Sequence, residues 1–340
     1  MIPERSLEVL RAIVHDYIET NQPVGSKTLV ERHSFGVSPA TIRNDMALLE
    51  DEKLIVAPHT SSGRVPTDKG YRLFVDRLGE VKPLSIPERS AIETFMQGSA
   101  DLDEVLGRTV RLLAQLTDQV AMVQYPSLEK GSVKSVELLK VGDNQALLIL
   151  VTDISRIQQH LIHFENELDD EFVGNLRAQM VGALQGASLS QVGAKLEDFS
   201  TKFAAERQSA VSLVLGNLLE QVDANRQDKI ILAGTANLAR REDDFKGSIS
   251  PMLEAIEEQV VLLKLIQEMQ TEHHGVSLRI GAENDIEQFS TTSVVLSGYE
   301  KEGAEVAKLG VLGPTRMNYS NNIAAVRAVS RYLTQALGGF

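Results

Sequence analysis

Ser38-Pro39 lies between a glycine-containing turn, Ser34-Phe35-Gly36-Val37, and an apolar stripe, and this placement constrains the fold more than any other feature. Serine accepts hydrogen bonds from the free N–H groups at a helix start, and proline suits the first helical position, where no N–H is required. The helix they open is predicted to run to about Asp51, burying Ile42, Met46 and Leu49 at i, i+4 and i+7. Two further signals precede it. From Pro3 to about Thr20, Leu7, Leu10, Ile13, Val14, Tyr17 and Ile18 form one amphipathic face, ended by Asn21-Gln22-Pro23. Gly25-Ser26 then opens a second helix, with Ser26 as N-cap and Leu29 and Val30 facing inward.

Beyond the third helix, Leu54-Ile55-Val56 reads as a short strand, Pro58 to Gly63 as a polar loop, and Arg64-Val65-Pro66 as the returning strand. A fourth helix from about Thr67 to Leu78 turns Tyr71, Phe74, Val75 and Leu78 inward. Helix, helix, turn, capped helix and strand–loop–strand together describe a winged helix-turn-helix over residues 1–80.

If Ile42, Met46 and Leu49 are buried, then Ser38, Ala40, Thr41, Arg43 and Asn44 occupy the exposed N-terminal part of the third helix. That part enters the major groove in helix-turn-helix proteins. The residue types suit base reading. Arginine can bind guanine O6/N7 through two hydrogen bonds, asparagine can pair with adenine, and alanine or threonine can touch a thymine methyl. In the loop His59-Thr60-Ser61-Ser62-Gly63-Arg64, small residues permit close approach to phosphate, and Arg64 is placed to meet a phosphate or a minor groove. Lys69 and Arg72 add nearby charge, and Lys27 and Thr28 on the second helix are further expected phosphate contacts.

Charge first weighs against this reading. The chain carries 34 Lys+Arg against 47 Asp+Glu, a net −13, which excludes a coat-like, nonspecific nucleic-acid binder. The distribution is uneven, however. Residues 1–80 hold −2 and residues 81–340 hold −11, while 24–49 and 57–79 together hold +3. The acid belongs to the body behind the reader. The chain has no cysteine, which removes disulfides and thiolate sites and fits a reducing compartment. The N-terminus lacks the pattern of a signal peptide, and the longest apolar run, Ala146 to Val151, is far short of a membrane span. A cytoplasmic protein without membrane contact is expected.

Two prolines within Leu84 to Pro87 and its flank mark residues 80–90 as a hinge. The body is mixed. A helix is predicted from Pro87 to about Thr117 with a break near Gly98, then strands at 119–125, 133–141, 145–151 and 156–164, the middle pair a hairpin turned at Gly142-Asp143-Asn144. Residues 168–226 are mainly helical with a break near Gly186 to Ser190. Strands resume at 229–233, 276–281, 291–297 and 305–312, with helices at about 250–270 and 319–337.

Three blocks carry a resemblance: Ser38-Pro39-Ala40-Thr41-Ile42-Arg43-Asn44-Asp45, the run from Pro58 through Gly70-Tyr71-Arg72, and Gly313-Pro314-Thr315-Arg316-Met317-Asn318-Tyr319. Through them the chain resembles the HrcA family of heat-inducible transcription repressors. The resemblance implies a dimeric repressor binding double-stranded operator DNA, the inverted repeat called CIRCE, upstream of chaperone operons, with activity modulated by the GroE chaperonin. It implies a multidomain α+β architecture: a winged helix over 1–80, a discontinuous GAF-like α/β domain from 81–140 and 228–340, and an inserted α+β dimerising domain over 141–227. It also makes Ser38, Ala40, Thr41, Arg43 and Asn44 operator readers and Arg64 the wing contact. One departure is Lys53, where the family pattern has glycine; a left-handed turn there costs a non-glycine residue roughly 1 kcal/mol.

No catalytic, metal or cofactor site is read from the sequence. His160 and His163 fall on opposite faces of a strand, His273-His274-Gly275 reads as a helix-terminal loop, and Glu254, Glu257 and Glu258 as a solvated face. Gly25-Ser26-Lys27-Thr28 lacks the glycine order of a P-loop. No nucleophile stands in an identifiable catalytic setting, so an enzyme is not expected. The rival readings are a small-molecule-gated repressor that uses the GAF-like domain as effector sensor, and a scaffold whose winged helix binds protein.

Overall fold

The computed structural model describes residues 2–59, 62–78, 84–87, 90, 92, 102–126, 131–153, 157–226, 229–245, 249–269, 275–301 and 303–338, with side chains 223–226 excepted. The hinge prolines' surroundings at 79–83, most of the helix expected from Pro87, and His273-His274 lie outside these residues.

Three helices, α1 (Glu4–Thr20), α2 (Ser26–Arg32) and α3 (Pro39–Asp51), pack around Leu10, Ile13, Leu29, Ile42 and Leu49, all essentially fully buried. Burying each such side chain contributes about 1.5–3 kcal/mol. The α2 N-cap is Gly25, one residue before the expected Ser26. A two-stranded antiparallel ribbon, β1 (Ile55–Val56) with β2 (Val65–Pro66), follows α3, and α4 (Asp68–Asp76) closes the unit.

Two backbone features explain the residues around the ribbon. Gly63 lies against Pro23 and Val24, where a Cβ would come within 2.6 Å of main-chain atoms. The tight approach lets Val24 and Arg64 exchange both backbone hydrogen bonds at 2.9 Å. Lys53 stands at φ 59°, in the left-handed region. Its N–H bonds Glu50 O and the Leu54 N–H bonds Leu49 O, both at 2.9 Å, which is a Schellman ending for α3. Glycine there relieves about 1–2 kcal/mol of steric strain and loses about 0.5–1 kcal/mol of unfolded-state entropy. Lys53→Gly is therefore expected to stabilise the chain by about 0.5–1 kcal/mol, read as a higher urea midpoint; a lower midpoint refutes the strain.

The body is built on a five-stranded antiparallel sheet. Its strands are β3 (Val120–Gln124), β7 (Ile230–Ala233), β8 (Ser277–Ile280), β9 (Thr292–Lys301) and β10 (Ala304–Pro314), in the order β7-β3-β10-β9-β8. The central strands are buried on both faces, so they read as unbroken apolar runs rather than alternating ones. Ala121, Val123, Val295, Leu309 and Val311 face α5 (Leu102–Thr117) and α12 (Tyr319–Leu337). Val120, Met122, Val294, Leu296 and Leu312 face α10 (Ser250–Glu257) and α11 (Gln259–Glu268). The single helix expected over 250–270 is thus two. The chain bends at Glu258 (ψ 73°), so that Met252, Ile256, Leu262 and Leu265 share one core.

A second core has no residue in common with the first. It covers one face of the sheet β4 (Val133–Gly142), β5 (Gln145–Thr152) and β6 (Ile157–His163) with α6 (Asp170–Leu184), α7 (Val192–Leu196) and α8 (Ala205–Arg226). It spans Val133 to Val222, so the expected border at 140/141 falls inside β4. The physical reason is the hairpin: β4 pairs with β5 along its whole length, up to Gly142 opposite Gln145. The molecule is thus a mixed α/β chain with several sheets. Among the described residues no helix is long and apolar enough to cross a membrane.

Candidate nucleic-acid interface

The N-terminal turn of α3 is shaped by its cap. The Ser38 hydroxyl accepts from the Thr41 N–H at 3.2 Å and lies 3.0 Å from the Thr41 hydroxyl. Pro39 supplies no N–H, and those of Thr41 and Ile42 are taken by the Ser38 hydroxyl and carbonyl, which leaves the Ala40 N–H at the positive end of the helix. Ser38, Ala40, Arg43 and Asn44 are exposed and Thr41 half-buried. Among the described residues, Arg43 and Asn44 form no ion pair or side-chain hydrogen bond, so both have their full donor set available.

Two of the three acidic residues of α3 are tied up within the protein, and the third, Asp51, is exposed at the far end of the helix. Asp45 is turned inward, where it accepts from Arg5 Nε and from the Ser6 hydroxyl, each at 2.8 Å. Glu50 is held by the Arg64 guanidinium, with Nε at 2.9 Å and Nη2 at 2.8 Å. The exposed part of the helix therefore carries Arg43 without a facing carboxylate. Lys27 is exposed and Thr28 half-buried near the start of α2, the helix packed against α3.

The wing and α4 differ from expectation in three places. Arg64, expected as the wing's outward contact, is forked on Glu50 and donates to Ser62 O, so it fixes the wing against α3. Lys69 donates to Glu52 O at 2.9 Å, at the end of α3. Arg72 points at the body, binding Glu283 and donating to Leu278 O at 2.8 Å. In each case a nearer acceptor in the protein has taken the donor. His59 is exposed, and its main-chain N–H and C=O are bonded by the Ser62 hydroxyl. Thr60 lies outside the described residues.

The unit reaches the body through contacts that periodicity does not reveal. Arg316 binds Asp244 and donates to Ile18 O at 2.6 Å, in the last turn of α1. Asp68 accepts from the Ala282 N–H at 3.0 Å, and the Tyr71 and Tyr319 rings stand 5.6 Å apart. Burial raises the Tyr319 hydroxyl well above its ordinary value, so it stays protonated and donates to Thr315 O at 2.6 Å. Gly313 to Tyr319, which joins β10 to α12, thus also carries the link between reader and body. Its one sequence signal is an arginine in a turn with no local partner.

Comparisons with known proteins agree along the whole chain. The family described as HrcA protein C terminal domain matches residues 103–323. The heat-inducible transcription repressor HrcA of Clavibacter michiganensis subsp. michiganensis (strain NCPPB 382) is 56% identical over 337 residues, covering 99% of each chain. That of Leifsonia xyli subsp. xyli (strain CTCB07) is 53% identical over 338 residues, covering 99% of this chain and 100% of its own. A solved structure of a hypothetical protein covers 100% of this chain and 99% of its own, with 24% identity and a TM-score of 0.68, and so shares the fold.

Proposed function

Because the chain belongs to the HrcA family of heat-inducible transcription repressors and not to an enzyme family, we propose that it represses heat-shock chaperone operons by binding an inverted-repeat operator of the CIRCE type as a dimer. In this reading residues 1–78 are a winged helix whose α3 enters the major groove. The five-stranded sheet and its helices are a GAF-like domain, and residues 133–222 are the dimerising insertion. The observation that carries the reading is the capped start of α3, with Ala40, Thr41, Arg43 and Asn44 displayed and the neighbouring carboxylates turned away.

Arg43→Ala tests it. Loss of one base-reading arginine is expected to cost about 1–3 kcal/mol on the operator and to relax discrimination at one base pair. Binding is titrated on operator and scrambled duplex at several fixed salt concentrations. Equal losses on the two duplexes would remove Arg43 from readout. Arg64→Ala is expected to weaken both duplexes alike, because it releases the wing from Glu50 rather than removing a base contact.

The dimer reading draws on the outer face of the three-stranded sheet. Leu139, Leu147 and Leu161 lie side by side across it, and Val151 stands beside Ile157. Leu139, Val141, Ile157 and Leu161 are between 42% and 68% exposed, and grouped exposed apolar side chains of this kind mark an interaction surface. A second copy of the sheet covers it by two-fold symmetry. An uncovered apolar face is also what a chaperonin binds, which supports modulation by GroE: the chaperonin holds monomers and releases them able to pair. A footprint on operator DNA with and without GroE tests this, and equal protection in both would refute it.

The effector-gated alternative has one observation in its favour. A cavity of about 330 Å³ opens between α5 and α9 (Thr235–Arg240), lined by Arg111, Gln115, Asp118, Gly234, Asn237 and Arg240. Its arginines suit a small anion. Operator affinity that changes when a metabolite extract is added, without chaperonin, would favour this alternative.

A further inference from the structure

We propose that the reader unit holds a divalent transition-metal site formed by His15, Asp16, Glu19 and His33. The four side chains come from two places, the C-terminal half of α1 and the residue that ends α2. His33 Nε2 lies 3.0 Å from Asp16 Oδ1, His15 Nδ1 lies 3.9 Å from the same oxygen, and His15 Nε2 lies 3.7 Å from Glu19 Oε1. Ligand atoms of His15, Asp16 and Glu19 all fall within 4.8 Å of one another. Donors about 2.0–2.1 Å from a tetrahedral ion stand about 3.3 Å apart; the exposed His15 and Glu19 side chains must turn to reach that spacing, and His33, whose ring stands 6.5 Å from that of His15, joins them through Asp16. His15 and Glu19 are one helical turn apart, the spacing that brings two side chains to one ion.

A second observation points the same way. Asp16 is 3% exposed; its Oδ1 faces the two histidines, and its Oδ2, on the side of Arg32, is buried with no hydrogen-bond partner. Arg32 Nη1 approaches that oxygen only to 3.8 Å. A buried carboxylate with an unsatisfied oxygen costs free energy unless a cation meets it. Two imidazoles and two carboxylates match a borderline ion such as Zn²⁺ and not Ca²⁺ or Mg²⁺, which take all-oxygen sets. The two carboxylates also neutralise its charge.

The position gives the ion a structural role. His33 ends α2 and its ring packs 5.9 Å from Phe35, in the turn that leads to α3. An ion at this point ties α1 to that turn and so fixes where the reading helix begins.

The test uses the full chain, dialysed against chelator and titrated with Zn²⁺ in competition with a chromophoric chelator. Co²⁺ serves as the spectroscopic probe. One tight equivalent per chain is expected, with the visible absorption of four-coordinate Co²⁺. His15→Ala and His33→Ala are each expected to lower affinity at least about tenfold and to abolish that absorption. Glu19→Gln, at an exposed position, gives a milder loss with the fold intact, and His160→Ala leaves binding unchanged. Zn²⁺ raises the thermal midpoint of the unaltered chain and not that of His33→Ala. Absence of a stoichiometric equivalent, or full retention of binding in both histidine variants with circular dichroism unchanged, overturns the site and leaves Asp16–His33 as a plain ion pair.

Discussion

Replacing Arg316 with alanine is expected to destabilise the chain by about 3–5 kcal/mol and to loosen the reader from the body. The guanidinium is 17% exposed and its partner Asp244 only 6%. Removing one member of such a pair strands the other charge in a poorly solvated place, which costs more than the pair itself contributed. Arg316 also satisfies Ile18 O, a carbonyl in the last turn of α1 that the helix itself leaves open. Asn21 Nδ2, 3.3 Å from Asp244, is a weak substitute. Urea unfolding measures the loss, and limited proteolysis of the linker after residue 78 measures the loosening. Arg316→Lys keeps the charge but loses the fork, so partial recovery is expected. Unchanged unfolding in Arg316→Ala would mean that the apolar contacts of Tyr71 and Tyr319 hold the two parts together without it.

The other large effect belongs to the three-stranded sheet. In the proposed dimer, Leu161→Glu is expected to separate the two copies and to lower operator affinity on the order of 100-fold. Leu161 lies opposite Leu147, itself opposite Leu139, in the middle of the uncovered face. A carboxylate there must be desolvated when a second copy docks. On the proposed inverted-repeat operator, one reader per molecule leaves the second half-site without the high effective concentration of a linked reader, and avidity is lost. Sedimentation equilibrium at several protein concentrations reads the first effect and operator titration the second. Because Leu161 points away from the buried core, the monomer should keep its fold. A dimer of unchanged strength would mean that copies pair through another surface.

What the sequence determines by itself follows from local rules. Ser38-Pro39, the stripe Ile42-Met46-Leu49 and the flanking strands set the boundaries of α3 and its neighbours to within a residue or two. Periodicity alone also places the strands of the body and the hairpin turned at Asp143-Asn144. The positive φ at Lys53 obeys the same logic, since a helix that turns directly into a strand needs a left-handed residue. Exposure of Arg43 and Asn44 follows by subtraction once the buried face is known.

The destinations of long polar side chains do not follow. Arg64 reads as a free wing cation, yet it is forked on Glu50, fourteen residues earlier. Arg72 counts towards the nucleic-acid face by position and is committed to Glu283 on β8's flank, while Arg316 reaches back to α1. The hairpin is legible, but the border of the second core is not: it begins at Val133 rather than at 141, because it depends on which sheet β4 joins. Short-range information, a cap, a period, a breaker, acts over one or two turns of chain and is written in order along it. A guanidinium at the end of a long side chain selects among every acceptor that folding brings near. That choice, like the meeting of His33 with Asp16, exists only once α1, α2 and the body are packed together.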